Sequence, residues 1–373
     1  MVGGGVVRVF LCGDVMPGRG VDQILPHPGN PALRERHLRD ARAYVGLAEK
    51  VNGRIPRSVD FAWPWGAALA ALDAAAPDVR VVNLETTVTG CDQFAPGKYV
   101  HYRMNPANLP CLSAVRPAVC VLANNHVLDF GSGGLGDTLE NLTGAGLQPA
   151  GAGRDRTEAW QPAIVPLGEG RRVLVCSLGM ASSGIPTHWA ATDQGPGVAF
   201  VGALCDAAAD EIAARLQERT QDGDLTVASV HWGSNWGYRV HREQVRFAHR
   251  LVDRGVDLVH GHSSHHPRPV EVYRGKLILY GCGDFIDDYE GIVGYDEYRV
   301  DLRLAHIAEL DADTGALARL RMLPLQARQL RLCPASDRDA GWLCTQLDRV
   351  SRAFGSRIVR DPAGALVLRW TDG

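Results

Sequence analysis

Apolar residues along this chain fall into two alternating patterns. One is a set of short apolar runs of strand length. The other places apolar residues every three to four positions, as an amphipathic helix requires. The runs Val6–Cys12, Val79–Val82, Ala118–Leu122, Val173–Ser177, Leu225–Val230 and Val256–Val259 predict strands. Between them, Trp65–Ala76, Asn105–Val115, Leu135–Leu142, Ala203–Arg215 and Gln244–Arg254 predict helices, two of them stopped by Pro77 and Gly144. Val270–Tyr273 and Leu277–Tyr280, joined by Arg274-Gly275-Lys276, predict a hairpin. Toward the C-terminus, Tyr298–Leu310 and Leu317–Leu323 read as strands and the region near Trp342–Ala353 as a helix. Trp63-Pro64-Trp65 and Ser182–Gly197 read as ordered surface loops. This alternation predicts layered α/β architecture with a partly parallel sheet.

Composition narrows the class. The chain has 373 residues, 46% hydrophobic and 22% charged, which suits a globular protein able to bury a full core. The formal charge of −3 comes without a basic face, so nucleic acid is not an expected partner. The nine cysteines are scattered singly, with no CxxC pair, so reduced thiols in a cytoplasmic setting are expected. Residues 1–11 carry one arginine and a short apolar run, without a signal-peptide layout or a membrane-spanning length.

Chemistry gathers at the predicted strand ends. The first ends Leu11-Cys12-Gly13-Asp14, the second Val81-Val82-Asn83-Leu84-Glu85, and the third Leu122-Ala123-Asn124-Asn125-His126 with Asp129 beyond. A fourth ends at His231, and a fifth leads into Gly261-His262-Ser263-Ser264-His265-His266. Each has a plain reading: a turn-forming Asp, a helix-start Glu, an Asx turn, a structural His. Together they offer carboxylates, an amide and imidazoles without thiolate, a donor set for Mn, Fe, Zn or a similar divalent ion. Strand ends of an open α/β sheet can converge on one crevice. There Glu85 could bridge two ions, and Asp129 could hold His126 charged as a proton donor.

These segments resemble the ordered motifs of the CapA family, named for capsule poly-γ-glutamate biosynthesis and part of the calcineurin-like metallophosphatase superfamily. The motifs are Gly13-Asp14-Val15-Met16, Asn83-Leu84-Glu85, Asn124-Asn125-His126 with Asp129 and Gly131, His231-Trp232-Gly233, Gly261-His262 with His265, and Tyr280-Gly281-Cys282-Gly283-Asp284-Phe285. The resemblance covers roughly residues 7–310. It implies a four-layer α/β/β/α sandwich of the metallophosphatase type over 1–310, with 311–373 as an extension packing on the same domain. It implies one or two divalent ions held by Asp14, Glu85, Asn125, His231, His262 and His265, with His126 as general acid positioned by Asp129. Three positions depart from the pattern. Met16 stands where the superfamily has His, Glu85 where it has the bridging Asp, and Asp284 where the family usually has Asn. Either the site holds one ion, or Asp284 makes good the loss at Met16. His265 and His266 both stand open for the last ligand position.

Three functions follow as expectations. The first is a metal-dependent hydrolase, with a metal-activated water attacking a phosphoester or related centre of an anionic substrate. The second is a γ-glutamyl amide hydrolase or transferase acting on poly-γ-glutamate or a γ-linked peptide. The third is a non-catalytic part of a capsule-assembly machine, which the lack of a membrane segment weakens. Arg19, Lys98, Arg103 and Trp236 are the expected substrate contacts, since anions favour Arg and Lys.

Overall fold

The computed structural model describes residues 5–371 apart from residue 169. Two sheets pack face to face. The larger runs Ser356–Arg360, Leu366–Trp370, Leu317–Ala327, Leu302–Asp311, Val6–Val15, Val79–Leu84, Val119–Val121 and Gln148–Ala150 in spatial order. Its last four strands are parallel; the others are antiparallel. The smaller runs Val270–Tyr273, Lys276–Leu279, Leu258–His262, Leu225–His231, Arg171–Gly179 and Ala163–Gly168. Its four central strands are parallel.

Strand periodicity builds the layers. In Val6–Val15, Val7, Val9 and Leu11 point between the sheets, while Phe10, Cys12 and Val15 point to the opposite layer. The inter-sheet layer also takes Val81, Val121, Val173, Val227 and Leu258. Helices Arg42–Asn52, Ala67–Ala75 and Gly131–Gly144 cover the outer face of the large sheet through Val45, Leu72 and Leu139. Asp206–Gln217 and Arg242–Asp253 cover the small sheet through Ile212, Phe247 and Leu251. The architecture is therefore the expected α/β/β/α sandwich. Helix Asp337–Ser351 places Leu343 and Leu347 in the inter-sheet layer with Ile358, Leu366 and Leu368.

Several local expectations change. Asn105–Val115 is not one helix. Pro106 starts a 3-10 turn, Pro110 starts a four-residue helix, and the Asn105 side chain caps the turn by accepting from the Ala107 N–H. The two loops assigned to the surface are partly interior. Trp65 is fully buried and donates to the Cys111 carbonyl at 2.7 Å, and Ile185 and Trp189 are buried. The 270–279 hairpin forms with a two-residue turn, Arg274-Gly275, both at positive φ as a type I′ turn requires. All nine cysteines are free. No described helix is long and apolar enough to cross a membrane.

Candidate metal centre

The C-terminal ends of parallel strands from both sheets meet at one rim. In the large sheet, Asp14 pairs in register with Asn83 on one side and Asp284 on the other. In the small sheet, His231 pairs with His262. Two potential ligand groups result, Asp14–His231–His262 and Asp14–His265–Asp284, with ligand atoms in each within 4.8 Å of one another. Asp14 is common to both. Glu85 stands beside them, its Oε1 3.9 Å from His231 Nε2 and 3.8 Å from His126 Nε2. Asn125 Oδ1 lies 3.1 Å from His231 Nε2.

The approach of Asp14 to Asp284 depends on Gly13. A Cβ there would lie 1.5 Å from the Gly283 carbonyl oxygen, and the Asp14 N–H donates to that carbonyl at 3.0 Å. Asn83 Nδ2 then donates to Asp14 at 2.7 Å and to Glu85 at 3.2 Å. On the small sheet, Ser229 Oγ bridges His260 Nδ1 at 3.0 Å and His262 Nε2 at 2.9 Å. His260 ends on the Cys12 carbonyl at 2.8 Å, so it ties the two sheets together. Ser263, next to His262, has φ of 94°, a strained conformation of the kind that collects at functional sites.

The electrostatics fit a cation. Asp14 Oδ2 and Asp284 Oδ2 are buried without a hydrogen-bond partner. Burial, then the charge of Asp284, pushes the Asp14 carboxyl up to about 7. Burial and Asp14 push Glu85 well above the carboxylate range. Burial holds His231 and His262 well below the ordinary imidazole value, so both are neutral, the form that ligates metal. Clustered buried carboxylates with orphaned oxygens beside neutral imidazoles make a donor set for a divalent ion.

The last position separates two histidines. Burial works against charge on His265, but Asp284, Asp14 and Asp287 outweigh it and raise the ring. Its Nδ1 lies 2.9 Å from Asp284, and Asn235 Nδ2 lies 3.0 Å from Nε2. His266 turns the other way, stacking on Tyr298 at 4.5 Å. Met16 is buried and accepts from Tyr289 Oη at 3.5 Å, away from any ligand role. Asp284 falls in one of the two potential ligand groups, with Asp14 and His265.

His126 and Asp129 form a pair, Nδ1 to Oδ2, at 2.7 Å. The expectation that Asp129 keeps the ring charged does not hold. Burial first, then the Lys98 ammonium, outweighs Asp129 and lowers His126 to about 4. Lys98 donates to Asp129 and to the Asn125 carbonyl, and lies 3.0 Å from His126 Nδ1. Burial opposes charge on Asp129, but His126 and Lys98 hold its carboxyl below the usual range. The Tyr102 N–H donates to Asp129 at 2.7 Å, and the Tyr102 ring meets His126 edge-on.

A cavity of about 440 Å³ opens over Glu85, Asn125, His126, His231 and His265. Of the four expected substrate contacts, Arg19 and Lys98 line it. Arg19 is buried and already bound, by Nε to Asp288 at 2.8 Å and by Nη1 to Glu35 at 2.8 Å. Arg103 faces away, pairing with Asp92 at 2.6 Å over the Phe130 ring. Trp236 lies at the margin, 5.1 Å from His265 and stacked on Tyr295 at 3.9 Å. Sequence reasoning placed Tyr102 and Asn235 in segments of plausible substrate contacts and gave no separate role to Asn83 or Ser229. Asn83 carried a signal, since it precedes Glu85 by two and so shares its face of the strand.

Fold and site together define an α/β/β/α sandwich with a candidate metal centre at its rim. Residues 8–289 match the family described as "Bacterial capsule synthesis protein PGA_cap", and the chain belongs to that family. It is similar to a "Probable polyglutamine synthesis accessory protein" of two Mycobacterium tuberculosis strains, 54% identical over 362 residues, 97% of this chain and 95% of the relative. The "PGA biosynthesis protein CapA" of Bacillus subtilis is 29% identical over 215 residues, 57% of this chain and 54% of that protein. Among solved structures, the protein TT1561 of Thermus thermophilus matches at a TM-score of 0.35 and 9% identity, over 84% of this chain and 97% of that one, too slight a likeness to carry argument.

Proposed function

We propose that this chain is a metal-dependent hydrolase acting on a phosphoester or related centre of an anionic substrate. The observation that supports it most is the sharing of Asp14 by two ligand groups beside His126 under an open cavity. Asp14, Glu85, Asn125, His231, His262 and His265, with Asp284, would hold one or two ions of Mn, Fe or Zn. A divalent ion so held supplies Lewis acidity, which acidifies water and neutralises developing charge. His126 presents Nε2 to the cavity while Asp129, itself held by Lys98, accepts from Nδ1. A ring kept neutral by its surroundings is a strong acid once protonated. Protonated at Nε2, the ring would give that proton to a leaving oxygen or nitrogen as the bond breaks and return to its neutral form. The relative named for PGA biosynthesis favours a second reading, hydrolysis or transfer at a γ-glutamyl amide on the same groups.

Metal content of the purified chain, measured by mass spectrometry, tests both readings. At least one divalent ion per chain is expected. No binding at sub-millimolar metal would remove both and leave a non-catalytic role in capsule assembly. Turnover of an aryl phosphate against a γ-glutamyl anilide separates the two chemistries. His126→Ala should lower turnover by roughly 10²–10⁴-fold with metal content intact, whereas Glu85→Ala should lose metal as well. The reverse pattern would overturn these roles.

A further inference from the structure

Most exposed large apolar side chains of the described residues gather around one feature. Tyr99 is 75% exposed and Val100 36%; Ile292 is 43%, Val293 89% and Tyr295 51%. Tyr99, Val100 and Ile292 also line the cavity over the candidate metal centre, so patch and cavity are continuous. Within the cavity, Tyr44, Tyr102 and Tyr289 extend the aromatic lining. Tyr295, with φ of 65°, follows the turn that projects Ile292 and Val293 in a left-handed conformation uncommon for a residue other than glycine. A cluster of large apolar side chains left in water at a cavity mouth marks a surface that something covers.

The charges at the mouth argue against a polyanion. Arg19 and Lys98 are the Arg and Lys among the lining residues. Arg19 is bound to Asp288 and Glu35, and Lys98 to Asp129. Neither is a free cation, and repeated carboxylates along a polymer would need free ones for charge-assisted recognition. Asp296 and Glu297 follow the projecting turn directly, adding negative charge to that segment.

We infer that the substrate carries an apolar or aromatic group beside its reacting anionic centre, and that this group lies on the Tyr99, Val100, Ile292 and Val293 rim. The inference rests on the hydrolase reading for the reacting centre. It adds that recognition beyond that centre is by apolar burial, not by charge along a glutamate chain.

Calorimetric titration of the Mn- or Zn-loaded full chain tests it. The probes are methyl, butyl and hexyl phosphate, γ-glutamyl methylamide and hexylamide, and tri-γ-glutamate. Affinity should tighten by roughly two- to fourfold per added methylene in whichever series binds. Tri-γ-glutamate should bind no tighter than the methylamide. The Ile292→Ser, Val293→Ser double variant, altering exposed side chains, should remove most of the chain-length gain. A flat series with tri-γ-glutamate binding tightest overturns the inference and leaves the hydrolase reading standing. Hexyl compounds that bind where methyl compounds do not, with turnover of neither, remove the hydrolase reading and overturn the inference with it, leaving the rim only as an apolar binding surface. Failure of every probe to bind overturns both.

Discussion

A missing side chain organises this centre. Without a Cβ at residue 13, the first strand can approach Gly283 closely enough to set Asp14 against Asp284. Gly13→Ala should therefore act on the metal site and the fold together. The displaced Asp284–Ile286 strand should cost roughly 2–4 kcal/mol in denaturant unfolding. Metal affinity in a chelator competition should fall roughly tenfold or more, as when a ligand's support is lost. Unchanged affinity would show that Asp284 does not support the site. Asp14, Glu85, His231 and His262 were legible in the sequence because each follows a buried apolar run. Their partners were not. Ser229 meets His262 across neighbouring strands, and Lys98 reaches Asp129 from a loop, so both depend on register and chain path. The different surroundings of His265 and His266 are also tertiary. Neighbours in sequence, they separate because Asp284 faces one and Tyr298 stacks on the other.

Central elements were readable and edge elements were not. Arg171–Gly179 and Leu225–His231 are apolar over most of their length, which marks strands covered on both faces. Ser356–Arg360 lies at an edge with Arg357, Val359 and Arg360 exposed and gave no clear run. Its attachment depends on Asp348 in helix Asp337–Ser351. That carboxylate accepts from Arg357 at 2.8 Å, from the Ile358 N–H at 3.0 Å and from Arg352 Nε at 3.0 Å. Burial opposes its charge, but these donors outweigh burial and lower it to about 2. A folded-state value below the unfolded one stabilises the protein above pH ~4, and that stabilisation is lost as pH falls from ~4 to ~2. Asp348→Asn should lose about 1–2 kcal/mol at pH 7 and show a weaker acid dependence between pH 4 and 2. Urea unfolding at pH 7 and pH 2 measures this, and equal losses at the two would exclude the ionic origin.

The charge problem belongs to the whole molecule, because the acids facing one another come from different strands and loops of one sheet rim. Asp14, Glu85 and Asp284 are buried together, while Lys98 beside Glu85 and Arg303 beside Asp284 are bound to other carboxylates. The fold carries this cluster at a cost in stability that a bound cation would offset. Saturation with Mn or Zn at about 100 times the dissociation constant should stabilise the native state by about 2.7 kcal/mol. That corresponds to a rise in Tm of roughly 3–4 °C over chelator-treated protein. Asp14→Asn should abolish this rise, since both ligand groups share Asp14. In chelator the same variant should melt at or above the wild-type temperature, because removing one of several facing buried charges relieves repulsion. Calorimetric scans of both proteins with and without metal decide it. A variant that keeps the metal-dependent rise would show that Asp14 is not shared. One that melts well below wild type in chelator would show that the carboxylate serves the fold and not a cation.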